Sequence, residues 1–95
     1  MNDFHNKSID RLMQAVLTLR SAEECYAFFE DLCTIKELTE MNQRYEVAKL
    51  LSEGKNYQEI SKATGASSAT ISRVNKCLMY SEGYKNVIKK NVESK

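Results

Sequence analysis

The chain reads as an all-α protein, and three observations carry that reading. It has no proline and only three glycines, so few positions interrupt the backbone. Apolar residues recur at spacings of three and four throughout. No long alternation of apolar and polar residues marks a strand. Ninety-five residues allow one domain with a small core. That domain divides into a helical body over residues 8–53, a helix-turn-helix over 55–79 and a last helix over 81–93.

The elements follow in order. A first helix is predicted over about residues 8–19, with Ile9, Leu12, Met13, Val16 and Leu17 at i, i+3, i+4, i+7 and i+8 forming one apolar stripe. Ser21-Ala22-Glu23-Glu24 fits a capping box, in which a hydroxyl takes an orphan amide and a carboxylate reaches back. The helix it starts carries Ala22, Cys25, Tyr26, Phe29, Leu32 and Cys33 on one side. Phe28 lies about 100° around the helix from Phe29, so one stripe cannot hold both rings. Phe28 either wraps the edge of the core or meets a second subunit.

A helical turn at Ile35-Lys36-Glu37-Leu38 leads to Thr39, read as the N-cap of a helix over about residues 40–52. Its apolar positions are Met41, Tyr45, Ala48 and Leu51, with Val47 and Leu50 beside them. Gly54 supplies the left-handed stop. At the far end, Leu78, Met79 and Tyr80 close one helix. Ser81 caps another, which bears Tyr84, Val87, Ile88 and Val92 with Lys85, Lys89 and Lys90 outside.

Between these lies the stretch from Tyr57 to Lys76, two short helical patterns flanking Gly65. Ile60 and Ala63 face inward on the first, Ala66 packs the corner, and Ile71, Val74 and Leu78 fasten the second. Gly65 supplies a positive φ at the turn. Once those positions are assigned to the core, Ser67, Ser68, Ala69, Thr70, Ser72, Arg73 and Lys76 form the outer set. This is the pattern of a helix-turn-helix that reads double-stranded DNA in the major groove. Ser67 or Ser68 caps the reading helix, whose amide end favours a phosphate. Ala69 lets the backbone approach base edges or a thymine methyl. Ser72 suits a base, a phosphate or a bridging water, and Arg73 suits guanine or a phosphate. Lys55, Lys62 and Lys85 are the first candidates for further phosphate contacts, with Lys89 and Lys90 behind them.

Charge supports the same end of the chain. Residues 1–54 hold six Lys/Arg and ten Asp/Glu, whereas residues 55–95 hold eight and three. No acid occurs over residues 66–79. The net charge of +1 hides a basic C-terminal portion joined to an acidic N-terminal one.

Other chemistry finds little support. Cys25, Cys33 and Cys77 are odd in number with no CxxC pair, and His5 is the sole histidine. Four suitably spaced zinc ligands are not present, so reduced thiols in a cytoplasmic protein are expected. Met1-Asn2-Asp3-Phe4-His5 lacks the layout of an export leader. No apolar run approaches the roughly 20 residues that cross a bilayer. No nucleophile–base or carboxylate pair suggests an enzyme. The competing function is a protein-interaction module using the same helical hairpin, which the acidic N-terminal half and the surplus apolar surface around Phe28 would serve.

Gly65-Ala66 followed by Ala69-Thr70-Ile71-Ser72-Arg73 resembles the reading-helix segment of the Trp-repressor superfamily. The match is closer to its small YerC/YecD-type members. It runs through Glu23-Glu24-Cys25-Tyr26, Phe28-Phe29-Glu30-Asp31-Leu32-Cys33-Thr34-Ile35, Gln43-Arg44, Glu46-Val47-Ala48, Thr64-Gly65-Ala66-Ser67 and Ser72-Arg73-Val74, within roughly residues 8–90. The resemblance implies an intertwined homodimer acting as a transcriptional repressor. Its reading helices would enter successive major grooves about 34 Å apart, with water-mediated base contacts. It also implies an effector site, with Arg44 and Arg73 resembling the arginines that flank tryptophan. Val74 stands where that family has glycine, and Cys77 where it has serine. A β-branched side chain fills space an indole needs, and a thiol bonds more weakly than a hydroxyl. Tryptophan is therefore not expected as co-repressor, and no other cofactor is implied. Arg44 has an ordinary alternative role, an exposed ion pair with Glu40 one turn earlier or with a neighbouring acid.

Overall fold

Capping chemistry decides where most of these helices begin. In the computed structural model, which describes residues 5–93, six helices follow one another: α1 (Lys7–Val16), α2 (Ala22–Leu32), α3 (Ile35–Ser52), α4 (Tyr57–Thr64), α5 (Ser68–Tyr80) and α6 (Gly83–Glu93). There is no strand among the described residues. The described residues form two units, 5–35 and 36–93. The leader reading of Met1 to Phe4 lies outside the described residues.

In the first unit, α1 starts and stops earlier than its apolar spacing suggests. Asn6 accepts the Ile9 amide at 2.9 Å and fixes the start ahead of Ser8. At the other end, Thr18 and Leu19 donate only to Ala15 and Val16, a tightened turn, so Leu17 is the C-cap. Ser21 caps α2 by accepting the Glu24 amide at 3.1 Å. The carboxylate of Glu24 reaches back one residue further than a capping box requires, to the amide of Arg20 at 2.8 Å. Phe28 and Phe29 meet edge to face with centroids 5.5 Å apart. Neither α1 nor α2 contains a buried residue.

The second unit holds the core. The turn expected at Ile35–Leu38 and the helix expected from Glu40 are one continuous helix, α3, with Thr39 inside it. Nothing in its 18 residues breaks a helix, and an interior threonine costs only a few tenths of a kcal/mol against a good helix former. α3 ends in a Schellman motif, with Gly54 donating to Leu51 and Lys55 to Leu50 while Gly54 takes φ 86°. Val47 and Ala48 of α3, Ile60 of α4, Ala66, and Ile71 and Val74 of α5 are fully or almost fully buried. Leu50, Leu51, Leu78, Tyr84 and Ile88 pack around them. Each buried Ile or Val contributes about 1.5–3 kcal/mol of transfer free energy.

Two further elements differ from the pattern of the sequence. Ala63 is exposed rather than turned to the core. It sits about 60° from Ile60, on the side where a cavity separates α4 from Thr39, Gln43 and Glu46 of α3. Ser81 closes α5 rather than opening α6, its amide donating to Cys77. α6 instead starts after Glu82, whose carbonyl accepts from Asn86. Tyr84 and Ile88 of α6 pack toward the core, whereas Val87 and Val92 are exposed.

No helix among the described residues is long and apolar enough to cross a membrane. Among the same residues no group of three or more His, Cys, Asp or Glu side chains is arranged to hold a metal ion.

Candidate nucleic-acid interface

α4, the turn at Gly65 and α5 are built from local rules that agree with one another. Asn56 and Glu59 form a full reciprocal capping box at the start of α4, with bonds of 2.9 and 3.0 Å. At its end Gly65 adopts φ 76° and its amide donates to Ser61 at 2.8 Å. Thr64 staples the corner, donating its hydroxyl to the Ile60 carbonyl and accepting the Ala66 amide. Gln43 of α3 reaches across and donates its side-chain amide to the Thr64 carbonyl at 3.1 Å. These bonds hold the turn from both sides. This capping box went unread in the sequence, although Asn56 and Glu59, three residues apart, are a local signal for it. Gln43 has no local signal, because its partner lies 21 residues away.

α5 is capped by Ser67, which accepts the Thr70 amide at 3.2 Å and donates its hydroxyl to Thr70 Oγ1 at 3.2 Å. Ser67, rather than Ser68, is therefore the cap. Ile71 and Val74 face the core with Ile60 and Ala66, fixing the rotation of α5 about its own axis. The opposite side follows from that rotation. Ala69, Ser72, Arg73 and Lys76 stand at i, i+3, i+4 and i+7, and all are exposed, as are Ser67 and Ser68. Thr70 is half-buried. Neither Arg73 nor Lys76 is held in an ion pair with any described residue. A polar, acid-free helical face with two unpaired cations is thus presented on a braced scaffold.

The remaining sequence-derived residues are more scattered. Lys55 is exposed in the turn between α3 and α4, and Lys62 is exposed on α4. Lys85 is exposed on α6, with Glu82 at 4.0 Å. Arg44 is half-buried on α3 and makes no ion pair with Glu40 or another described acid, so the ordinary role considered for it is not realised. Cys77 is half-buried and lines a cavity of about 480 Å³ with Tyr45, Ser81, Gly83, Tyr84 and Val87. Arg44 and Arg73 do not line that cavity. Val74 is only 1% exposed, its side chain taken up by the core.

Tyr57 escaped the sequence reading. It is the first residue of α4, yet its hydroxyl lies 3.5 Å from the Ser72 hydroxyl on α5.

The comparisons with known proteins agree with this geometry. The model of the Trp repressor protein family matches residues 7–92. The chain belongs to the Trp repressor family. That family is one of DNA-binding regulators, not of enzymes. A Bacillus subtilis (strain 168) protein, YerC, itself described as uncharacterized, is 50% identical over 80 residues, which cover 84% of this chain and 77% of that protein. Among solved structures, a TrpR-like protein from Eubacterium eligens superposes with a TM-score of 0.90 at 46% identity, covering 95% of this chain and 94% of the other. A candidate Trp repressor from Staphylococcus aureus gives 0.89 at 38% identity, again covering 95% and 94%. The all-α fold and the family resemblance read from the sequence are both borne out.

Proposed function

We propose that this protein is a sequence-preferring DNA-binding transcriptional repressor that acts as a cytoplasmic homodimer. The exposed face of α5 carries the reading, because Ile60, Ala66, Ile71 and Val74 leave it no freedom to turn inward. In this reading Ser67, Ser68, Ala69, Thr70, Ser72, Arg73 and Lys76 meet double-stranded DNA, with Lys55, Lys62 and Lys85 on flanking phosphates. Two copies related by a two-fold axis present their reading helices to successive major grooves. The exposed apolar side chains of α1 and α2 supply the face on which a second copy is held.

Tryptophan plays no part in this reading. Val74 is committed to the core, and Cys77 offers a thiol where the family's pattern has a hydroxyl. A micromolar heat signal on titration with L-tryptophan would overturn that assignment.

Selection of bound fragments from random duplexes tests the main reading, followed by a salt titration of the best one. For Z neutralised phosphates, log K falls with log[salt] at a slope of about −0.9Z. Arg73→Ala should weaken binding by about 1–3 kcal/mol or more while the two-chain mass is retained. A flat salt response would favour the interaction-module reading, with the acidic N-terminal portion and the apolar faces of α1 and α2 as its surface.

A further inference from the structure

We infer that Tyr57 and Ser72 form a two-hydroxyl clamp for one oxygen of the DNA backbone, which makes Ser72 a phosphate contact rather than a base reader. The inference rests on the DNA reading above and divides the work of its interface. Its observation is the approach of Tyr57 Oη to Ser72 Oγ, 3.5 Å apart and both exposed, joining the first residue of α4 to the middle of α5. Direct O–H···O bonds are closer, about 2.5–3.0 Å. At 3.5 Å the two hydroxyls do not use each other up. Both donors can instead converge on a third atom at ordinary hydrogen-bonding distance. A phosphate oxygen suits that place, since it is anionic and accepts several charge-assisted bonds at once.

The position on the helix decides between backbone and base. Ser72 and Arg73 diverge by about 100° around α5, on either side of the line through Ala69 and Lys76. The contact with Tyr57 shows that Ser72 leans to the side occupied by α4. In a docked helix-turn-helix the second helix enters the groove while the first crosses the backbone. Ser72 therefore looks toward the backbone, and Arg73 toward the other flank. Tyr57 is also well built as an anchor. The residue is 38% exposed, so its hydroxyl is open to a ligand, and a tyrosine hydroxyl is placed by only two torsions.

Tyr57→Phe and Ser72→Ala, measured beside the full-length wild type on its selected duplex and on scrambled duplexes, test the clamp. Each variant should weaken binding about ten- to a hundredfold, as for loss of one hydrogen bond to a charged acceptor. The loss should be equal on all duplexes, with base preference unchanged, because phosphate contacts carry no sequence information. The double variant should be no weaker than either single one. Ethylation of one backbone phosphate should inhibit the wild type and leave Tyr57→Phe unaffected. Thermal melts near the wild-type value keep these readings free of folding defects, and Ser72→Ala serves if Tyr57→Phe melts early. Wild-type binding by both variants would overturn the clamp and leave the DNA reading intact, as would a change of preference at one base position in Ser72→Ala. A wild type that binds no duplex would overturn both.

Discussion

Residues 5–35 and residues 36–93 obey the same helix-forming rules and reach opposite results. α1 and α2 are well capped and amphipathic, yet not one of their side chains is buried. α3 has the least tidy stripe of all, yet with α4 and α5 it supplies nearly the whole buried core. A clean apolar stripe thus specifies a helix and the face it must hide, but not what hides it. Helices of 10 and 11 residues are marginal alone and need tertiary cover. Met13 of α1 is 48% exposed, and Tyr26 and Leu32 of α2 are 65% and 49%. Exposure of that kind, repeated along both helices, is what the proposed homodimer would cover. In the second unit the contacts are made within the chain, and they are spent on holding a polar face outward.

The largest effect expected from this contrast is a difference in kind between two substitutions. Ile71→Ala removes a fully buried side chain from the core and should cost about 2–5 kcal/mol in chemical denaturation. Phe29→Asp alters a half-buried ring of α2 and should act on association instead. Light scattering should show its mass falling from two chains toward one, and its melting temperature should lose the dependence on protein concentration that an associating wild type shows. A Phe29→Asp protein that keeps the two-chain mass would break the comparison, because the first unit would then need no partner.

How far these differences could be read from the residues varies with the range of the interaction. Ser21, Gly54 and Gly65 announce themselves, since caps and left-handed stops are decided within four residues. Ile60, Ile71 and Val74 are equally readable from their spacing. Thr39 misled, because a hydroxyl that can cap a helix can also sit inside one when no breaker precedes it. Ala63 misled for a related reason: spacing of three from Ile60 is compatible with either edge of the stripe, and packing chose Thr64 on the other edge. Gln43 and Tyr57 were invisible, because their partners Thr64 and Ser72 lie 21 and 15 residues away.

A middle-sized effect tests whether the turn is rigid by conformation or by crowding. A Cβ at Gly65 would meet only Gln43 Nε2, at 3.9 Å, an ordinary contact. The cost of Gly65→Ala is therefore that of a positive φ, about 1–2 kcal/mol. Gly54→Ala should cost a similar amount, since φ is 86° there and nothing lies within 4 Å. Asparagine at either position should recover part of the loss, being the residue that best tolerates this conformation after glycine. A much larger loss at Gly65 alone would show that the bond from Gln43 to Thr64 tolerates no displacement.

The smallest expected stability change is also the cleanest probe of electrostatics. Lys85 and Glu82 are both well exposed and 4.0 Å apart, so screening leaves the pair worth about 0–1 kcal/mol. Lys85→Ala should therefore melt close to the wild type. If Lys85 also meets a DNA phosphate, the same change makes the salt dependence of binding shallower by about 0.9 in slope and lowers affinity on every sequence alike. If the slope is unchanged, Lys85 belongs to an ordinary solvated surface and the basic footprint contracts to α4 and α5. Because the fold is indifferent to this side chain, either result speaks about DNA alone.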